Sequence, residues 1–490
     1  MSCNNQLKEN YGLFIGGEWR PASDGTTYQS TNPANGEVLT QCAQATKEDV
    51  DAAVAAAWKA FPEWKKTTKE ERAAILDKIA DRVEENQEWL AKVETMDNGK
   101  PIRETMAIDV PYSIRHFRYY ASLIRTDEGV ASILDGGMMS LVLREPIGVV
   151  GQIVPWNFPF LMAAWKLAPA IAAGDCIVFK PSSTTSLSKL VFTELIQDLL
   201  PAGVLNLITG AGGKSGQYLL DHPDLCKLAF TGSTEIGKNV ALAAANKLIP
   251  ATLELGGKSA NIIFNDCNWE AAIDGVQLGI LFNQGQVCCA GSRVFVQEDI
   301  YDKFVAELVN AFQHINVGDP LNPETQMGAQ INRRQADKIL SYVQIAKEEG
   351  ATIACGGDYY TENGCEKGSF VQPTLITNVT NDMRVAQEEI FGPVAVVIKF
   401  KTEEQAVAIA DNCTYGLSSG VISGEIQRAI RVARQLDAGN CTINGTGLYR
   451  THDMPFGGHR KSGLGTEGLY ATLDEFTKTK TYVWKGAAIR

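Results

Sequence analysis

The chain has 490 residues, 45% of them hydrophobic, with 45 basic against 57 acidic side chains and a formal net charge of −12. A single hydrophobic core does not organise that length, so two or more domains with a cleft between them are expected. The acidic excess is spread along the chain, which argues against a nucleic-acid partner, and no run of about 18 uncharged apolar residues reads as a membrane span.

The opening residues Met1-Ser2-Cys3-Asn4-Asn5-Gln6-Leu7-Lys8 lack the apolar core of a secretory signal, so a soluble, cytoplasmic protein is expected. Eleven cysteines without a Cys-x-x-Cys pair, and only five histidines, indicate neither a disulfide framework nor a metal site. After a short β-like stretch at residues 11–19, Thr46-x-x-Asp49 has the form of a capping box, and Val50, Val54 and Trp58 continue on one helical face. Thr67-x-x-Glu70 and Thr68-x-x-Glu71 both offer a second helix start, with Ile75, Leu76, Ile79 and Val83 at helical spacing. Trp89, Leu90 and Val93 follow, then Gly99-Lys100-Pro101, then a helix carrying Ile114, Phe117 and Tyr120. The first hundred residues are therefore expected to be largely helical.

From residue 140 the texture changes to short apolar, β-branched runs. Strands are expected at 140–143, 147–154, 176–179, 204–208, 227–230 and 251–254, separated by segments long enough for helices. That alternation predicts a doubly wound parallel sheet covered on both faces. It restarts at residue 261, with strands at 261–264, 294–297, 375–376 and 394–400, and predicts a second α/β domain. The tail at 474–484 reads as an exposed strand seeking a partner edge.

Several stretches carry chemistry. Phe282-Asn283-Gln284-Gly285-Gln286-Val287-Cys288-Cys289 sets two thiols among small residues just before a strand, where either could serve as a nucleophile once ionised. Gly210-Ala211-Gly212-Gly213-Lys214-Ser215-Gly216 is not a P-loop, because Ile208 stands where that motif needs glycine, and Ser215 breaks the strict dinucleotide fingerprint. Phe230-Thr231-Gly232-Ser233-Thr234 runs from a strand into a helix, as a plain N-cap or as an anion site at the helix N-terminus. Glu254 ends an apolar strand, as a general base of raised pKa or as the partner of Lys258. Asn157, within Pro155-Trp156-Asn157-Phe158-Pro159, is either a turn residue or a fixed donor for a developing oxyanion.

Taken in order with Phe179-Lys180-Pro181-Ser182, Leu253-Glu254-Leu255-Gly256-Gly257-Lys258, Glu389-Ile390-Phe391-Gly392-Pro393 and Pro455-Phe456-Gly457-Gly458, these motifs resemble the NAD(P)-dependent aldehyde dehydrogenase superfamily over nearly the whole chain. The resemblance implies a Rossmann-type cofactor domain over residues 1–123 and 147–256 and a catalytic domain over 257–462. It implies an oligomerisation arm and C-terminal strand over 124–146 and 463–490, with strands pairing across the subunits of a homodimer or homotetramer. It selects Cys288 as the nucleophile, Asn157 as the oxyanion donor and Glu254 as the base for water, with Lys166 and Glu467 as an accessory proton relay. The cofactor, NAD or NADP, would contact Ile153, Val154, Pro155, Trp156, Lys180, Ser182, Ser183, Gly212, Gly216, Phe230, Gly232, Ser233, Leu255, Glu389 and Phe391. Ser183 stands where members preferring NAD often carry glutamate, which implies tolerance of NADP. The small aldehyde substrate would meet Phe158, Met162, Trp165, Phe282, Val287, Cys289, Tyr449 and Phe456, an apolar and aromatic set without arginine. The CoA-acylating branch of the superfamily generally lacks the glutamate present here as Glu254, which favours hydrolysis.

Overall fold

The computed structural model describes residues 6–448 and 451–485. Within them the apolar runs form the parallel middle of a sheet, in the spatial order Ala251–Glu254, Lys227–Thr231, Val149–Ile153, Cys176–Lys180, Leu205–Leu207. These strands lack polar alternation because helices cover both faces, and nearly every residue in them is buried. The antiparallel hairpin of Leu13–Ile15 and Glu18–Arg20 closes one edge, and Gly463–Leu464 closes the other beside Glu254. The chain leaves Val149–Ile153 toward one edge and returns at Lys227–Thr231 on its other side. That reversal is the switch point at which such sheets bind ligands.

The capping boxes set the helices. Thr46 and Asp49 cap Lys47–Trp64. Of the two candidate starts that follow, Thr68 with Glu71 caps Lys69–Glu85, while the Thr67 hydroxyl donates to the Trp64 carbonyl at 2.6 Å. Helix Pro159–Ala173 starts with proline at its first position and is buried along its whole length, as a helix apolar on every face must be.

A second sheet runs Thr352–Cys355, Thr374–Thr377, Val394–Phe400, Arg293–Gln297, Ala260–Ile263, Ser418–Ile422, Asn440–Ile443, parallel apart from the first pair. Val130–Leu134, Met138–Pro146 and Thr477–Lys485 form a separate antiparallel sheet whose strands are largely exposed.

One expectation is corrected. Thr27–Thr31 and Val38–Ala43 are paired strands, so the chain before Thr46 is β rather than helical; their polar, half-exposed sequences give no apolar run to read. The C-terminal strand pairs with Met138–Pro146 of the same chain, in register from Thr477 opposite Pro146 to Lys485 opposite Met138. The two strands meet as an uninterrupted antiparallel ladder, which leaves Thr477–Lys485 as an edge strand with its outer side unpaired.

His116 shows how firmly this interior excludes charge. It is fully buried, its ring stacked on Trp165 at 4.5 Å and 11°, and burial, with neighbouring His452, pushes its pKa down to about 3. An unfolded chain protonates histidine near pH 6.5, so between about 6.5 and 3 the unfolded state binds more protons and stability falls as the pH falls. His116→Phe retains the stacked ring and should shrink the drop in urea midpoint between about pH 7 and about pH 5. Equal drops in variant and wild type would show that His116 is not a source of acid sensitivity.

Candidate active site

Parallel strands all finish on one side, so the turns after Ile153, Thr231 and Glu254 converge beside the switch point. A cavity of about 910 Å³ opens there, walled by Trp156 and Asn157 from the first turn, Gly232 and Ser233 from the second, and Leu255 and Gly256 from the third. Cys288 and Cys289 reach it from the second sheet, in the turn before Arg293–Gln297. Cys288 is half-buried and Cys289 buried. Gly257 is required behind them, since a Cβ there would stand 2.3 Å from the Cys288 carbonyl oxygen.

Asn157 is held from two directions. Its Nδ2 donates to the Gln286 carbonyl at 2.9 Å, and its backbone carbonyl accepts from Asn283 Nδ2 at 2.7 Å. A side-chain amide has two N–H groups, so one orients the side chain while the other remains for a group in the cavity. Glu254, buried at its strand end, is 4% exposed. Its sequence neighbour Lys258 has a buried Nζ without a hydrogen-bond partner, and burial, reinforced by Arg293, pulls its pKa down to about 7; the carboxylates acting on it are Glu389 and Glu388. Lys166 and Glu467 form a buried ion pair at 2.6 Å.

Of the residues expected around a cofactor, Pro155, Trp156, Gly232, Ser233, Leu255, Glu389 and Phe391 line the cavity, whereas Ile153, Val154, Lys180, Ser182, Ser183, Gly212, Gly216 and Phe230 lie outside its lining. Ile153 ends its strand, and the Val154 N–H donates to the Lys180 carbonyl at 3.2 Å, which ties the first two turns together. Lys180 is buried, its ammonium donates to the Pro181 carbonyl at 3.0 Å, and burial lowers its pKa to about 8. Two of its N–H groups remain. Gly216 lies against its stem, Gly212 faces open space, the Ser182 hydroxyl bonds that of Thr184 at 2.8 Å, and Ser183 is half-buried. Ser233 caps helix Thr234–Lys247 by accepting the Ile236 N–H while also lining the cavity, and Phe230 is buried one strand residue earlier. Pro155 lines the cavity as well. Glu389 accepts the Gly257 N–H at 3.0 Å, with its pKa raised by burial. A Cβ on Gly256 would lie 2.4 Å from Glu389 Oε2. Phe391 holds the left-handed φ of 63° and meets Trp156 edge-on at 5.2 Å.

On the apolar side, Phe158, Met162, Phe282, Val287 and Cys289 line the cavity, with the Phe158 and Phe282 rings 5.9 Å apart. Trp165 and Phe456 are buried and lie outside its lining. Trp165 stacks with His116 and Tyr112 instead, and the Phe456 backbone exchanges two 2.6 Å hydrogen bonds with Glu467. Tyr449 falls outside the described residues. Sequence reasoning missed Ile108, Tyr112, Arg115, Leu161 and Leu278, and the turn at 442–448. None sits in a motif; the available signal was an apolar side chain off its helix's buried stripe, as Leu278 is, at 54% exposed. Arg115 brings a guanidinium to a wall whose expected lining held none, the arginine the sequence kept open nearby being Arg450, outside the described residues.

Among the described residues no three His, Cys, Asp or Glu side chains cluster as a metal would require, and no helix is long and apolar enough to cross a membrane. Comparison with known proteins agrees with the motif order. The model of the aldehyde dehydrogenase family matches residues 19–482. Aldehyde dehydrogenase B of Escherichia coli K12 is 46% identical over 482 residues, 97% of this chain and 94% of that protein. A putative aldehyde dehydrogenase from Burkholderia cenocepacia superposes with a TM-score of 0.96 at 42% identity, covering 98% of each chain. Betaine aldehyde dehydrogenase from Staphylococcus aureus, solved in complex with NAD+, gives 0.95 at 40% identity over 96% of this chain and 94% of that one.

The Gly256 contact yields a direct check on this wall. Gly256→Ala forces the Glu389 carboxylate off the Gly257 N–H and should weaken NAD+ binding about tenfold, read by isothermal titration. Unchanged affinity would remove Glu389 from the binding surface.

Proposed function

The chain belongs to the aldehyde dehydrogenase family, and on that premise we propose that it oxidises an aldehyde to the carboxylic acid, with a nicotinamide dinucleotide as hydride acceptor and a covalent intermediate on Cys288. The observation that carries this reading is the meeting of Cys288 and Asn157 in one cavity beside the switch point, where the strand carrying Glu254 also ends.

The chemistry follows from the groups present. The Cys288 thiolate attacks the carbonyl carbon, a C–S bond forms, and the carbonyl π electrons move to oxygen. The Asn157 N–H not committed to Gln286 donates a hydrogen bond to that oxygen, and because the charge develops only as attack proceeds, this stabilisation accelerates the step. Loss of hydride from the tetrahedral carbon leaves a thioester; the bound dinucleotide supplies the hydride acceptor. Glu254 takes a proton from water, the oxygen adds to the thioester carbon, and the C–S bond breaks to restore the thiolate. The Lys166–Glu467 pair, buried behind the strand ends, passes that proton onward.

The donors and acceptors on the cofactor side suit a dinucleotide. Lys180 offers N–H groups and Glu389 a carboxylate to ribose hydroxyls, and the turn at Gly232 and Ser233 opens a helix whose N-terminus attracts a pyrophosphate. The bacterial relative from Staphylococcus aureus binds NAD+, and the neutral Ser183 beside Lys180 leaves room for a 2′-phosphate. The apolar lining favours a neutral aliphatic or aromatic aldehyde. Ile133, Val483 and Trp484 on the three-stranded sheet are 83%, 58% and 45% exposed, a surface that supports a homodimer or homotetramer.

Absorbance at about 340 nm with a panel of aldehydes tests the reaction. Cys288→Ala should abolish NADH formation, whereas Glu254→Gln should release about one NADH per site in a burst and then turn over on the order of 10²-fold more slowly. Full turnover by Cys288→Ala, or dependence on added CoA, would sink the assignment. Separately, Ser183→Glu should lower the NADP/NAD ratio of kcat/KM at least about tenfold, because a carboxylate repels the 2′-phosphate; an unaltered ratio removes Ser183 from cofactor choice.

A further inference from the structure

Glu104 belongs to none of the motifs that define this site, yet it touches the turn that carries the nucleophile. It ends the short helix Ile102–Glu104 at 5% exposure. Its two carboxylate oxygens accept the backbone N–H of Asn283 at 3.1 and 3.4 Å. Asn283 and Gln284 both adopt left-handed backbone, with φ of 48° and 54°. Two consecutive non-glycine residues hold that conformation only where their surroundings impose it. The Gln284 side chain donates to the Ala329 carbonyl at 3.1 Å, Gln286 Oε1 accepts the Ile331 N–H at 3.0 Å, and Glu104 supplies the clamp on Asn283 itself.

The clamp leads to the reacting centre in two hydrogen bonds. Asn283 Nδ2 donates to the backbone carbonyl of Asn157 at 2.7 Å and to the Gln286 carbonyl at 3.2 Å. The Gln286 carbonyl is also the acceptor that orients the Asn157 amide. Close to Glu104, Lys100 and Asp109 form a fully buried ion pair at 2.8 Å, and the Lys100 ammonium lies 4.0 Å from the ring centroid of Phe158, the residue after Asn157. Glu104 and this pair thus grip the Asn157 turn and the Cys288 turn together.

Resting on the aldehyde oxidation assigned above, we propose that Glu104 is a positioning residue for the oxyanion amide: it fixes the Asn283 backbone, and Asn283 in turn sets where Asn157 presents its free N–H. Burial pushes the Glu104 carboxyl up to about 8, opposed by Lys100, and in either protonation state it keeps an oxygen for the Asn283 N–H. The neutral isostere glutamine presents the same acceptor.

The test is steady-state kinetics on wild type, Glu104→Gln, Glu104→Ala, Asn157→Ala and the double variant Glu104→Ala/Asn157→Ala. Glu104→Ala should lower kcat at least about tenfold with KM for NAD+ within about twofold, and Glu104→Gln should stay within about threefold of wild type. In the Asn157→Ala background, removing Glu104 should cost less than about twofold further, because its target is gone. Additive losses, or glutamine as damaging as alanine, would overturn the link. Asn283→Gly relieves the left-handed strain while deleting Nδ2, so it should reproduce the kcat loss with Glu104 intact even where Glu104→Ala fails to fold; full activity in Asn283→Gly also overturns the link. A wild type that forms no NADH with any aldehyde refutes the oxidation itself, whereas an active wild type beside an equally active Glu104→Ala refutes the positioning role alone.

Discussion

A parallel sheet covered on both faces leaves no tolerable place for charge along its strands, because an unpaired buried charge costs far more than any single apolar contact returns. Polar chemistry is confined to the strand ends. Asn157 follows Ile153, Ser233 follows Thr231 and Glu254 closes its own strand, each at the carboxyl end of a parallel strand next to the reversal in strand order. Among the cations buried in this unit, two are paired with the end of the chain. Lys227 pairs with Glu475 at 3.0 Å and Lys166 with Glu467 at 2.6 Å. Both partners come from the segment after the second sheet, so these two cations depend on the returning chain for their counter-charge.

Those pairs define geometry more than they stabilise. A buried ion pair roughly breaks even against apolar residues of equal volume, whereas removing one partner costs about 3–5 kcal/mol against a net stability of about 5–15 kcal/mol. The penalty is therefore steep for misplacing the returning segment and small for having it at all. That segment also lays Gly463–Leu464 against Leu253 and Glu254 as an edge strand, and the Leu255 N–H donates to the Ser462 carbonyl at 2.8 Å. The same ion pairs thus help fix the strand end on which Glu254 stands.

What could be read beforehand follows the same division. Buried strands are written as continuous apolar runs, so the parallel middle of the first sheet and the motifs at its ends were legible, and Thr46 with Asp49 announced the first long helix. Thr27–Thr31 and Val38–Ala43 pair through backbone while their side chains stay polar, so nothing in composition marks them. The walls formed by Tyr112, Arg115 and Leu278 were illegible for another reason. Each sits on a helix whose buried stripe is evident, but whether the next stripe faces water or a cavity is decided by elements far away in sequence. Glu104 is the extreme case, since only the structure shows that it meets Asn283 across 179 positions.

The choice among thiols is a final consequence of where the core stops. Burial pushes Cys42 up to about 12 and Cys365 to about 11, and raises Cys176 as well. A thiol at about 12 is ionised in roughly one molecule in 10⁵ at neutral pH, too seldom to act as a nucleophile. The environment that makes cysteine a good packing residue thereby disables it as a reagent. Cys288 is half-buried and opens on the cavity, while the next residue, Cys289, already belongs to the apolar cluster beneath. Between the two lies the boundary of the core, just beyond the turn whose left-handed Asn283 is held by Glu104 and whose left-handed Gln284 is held by the Ala329 carbonyl.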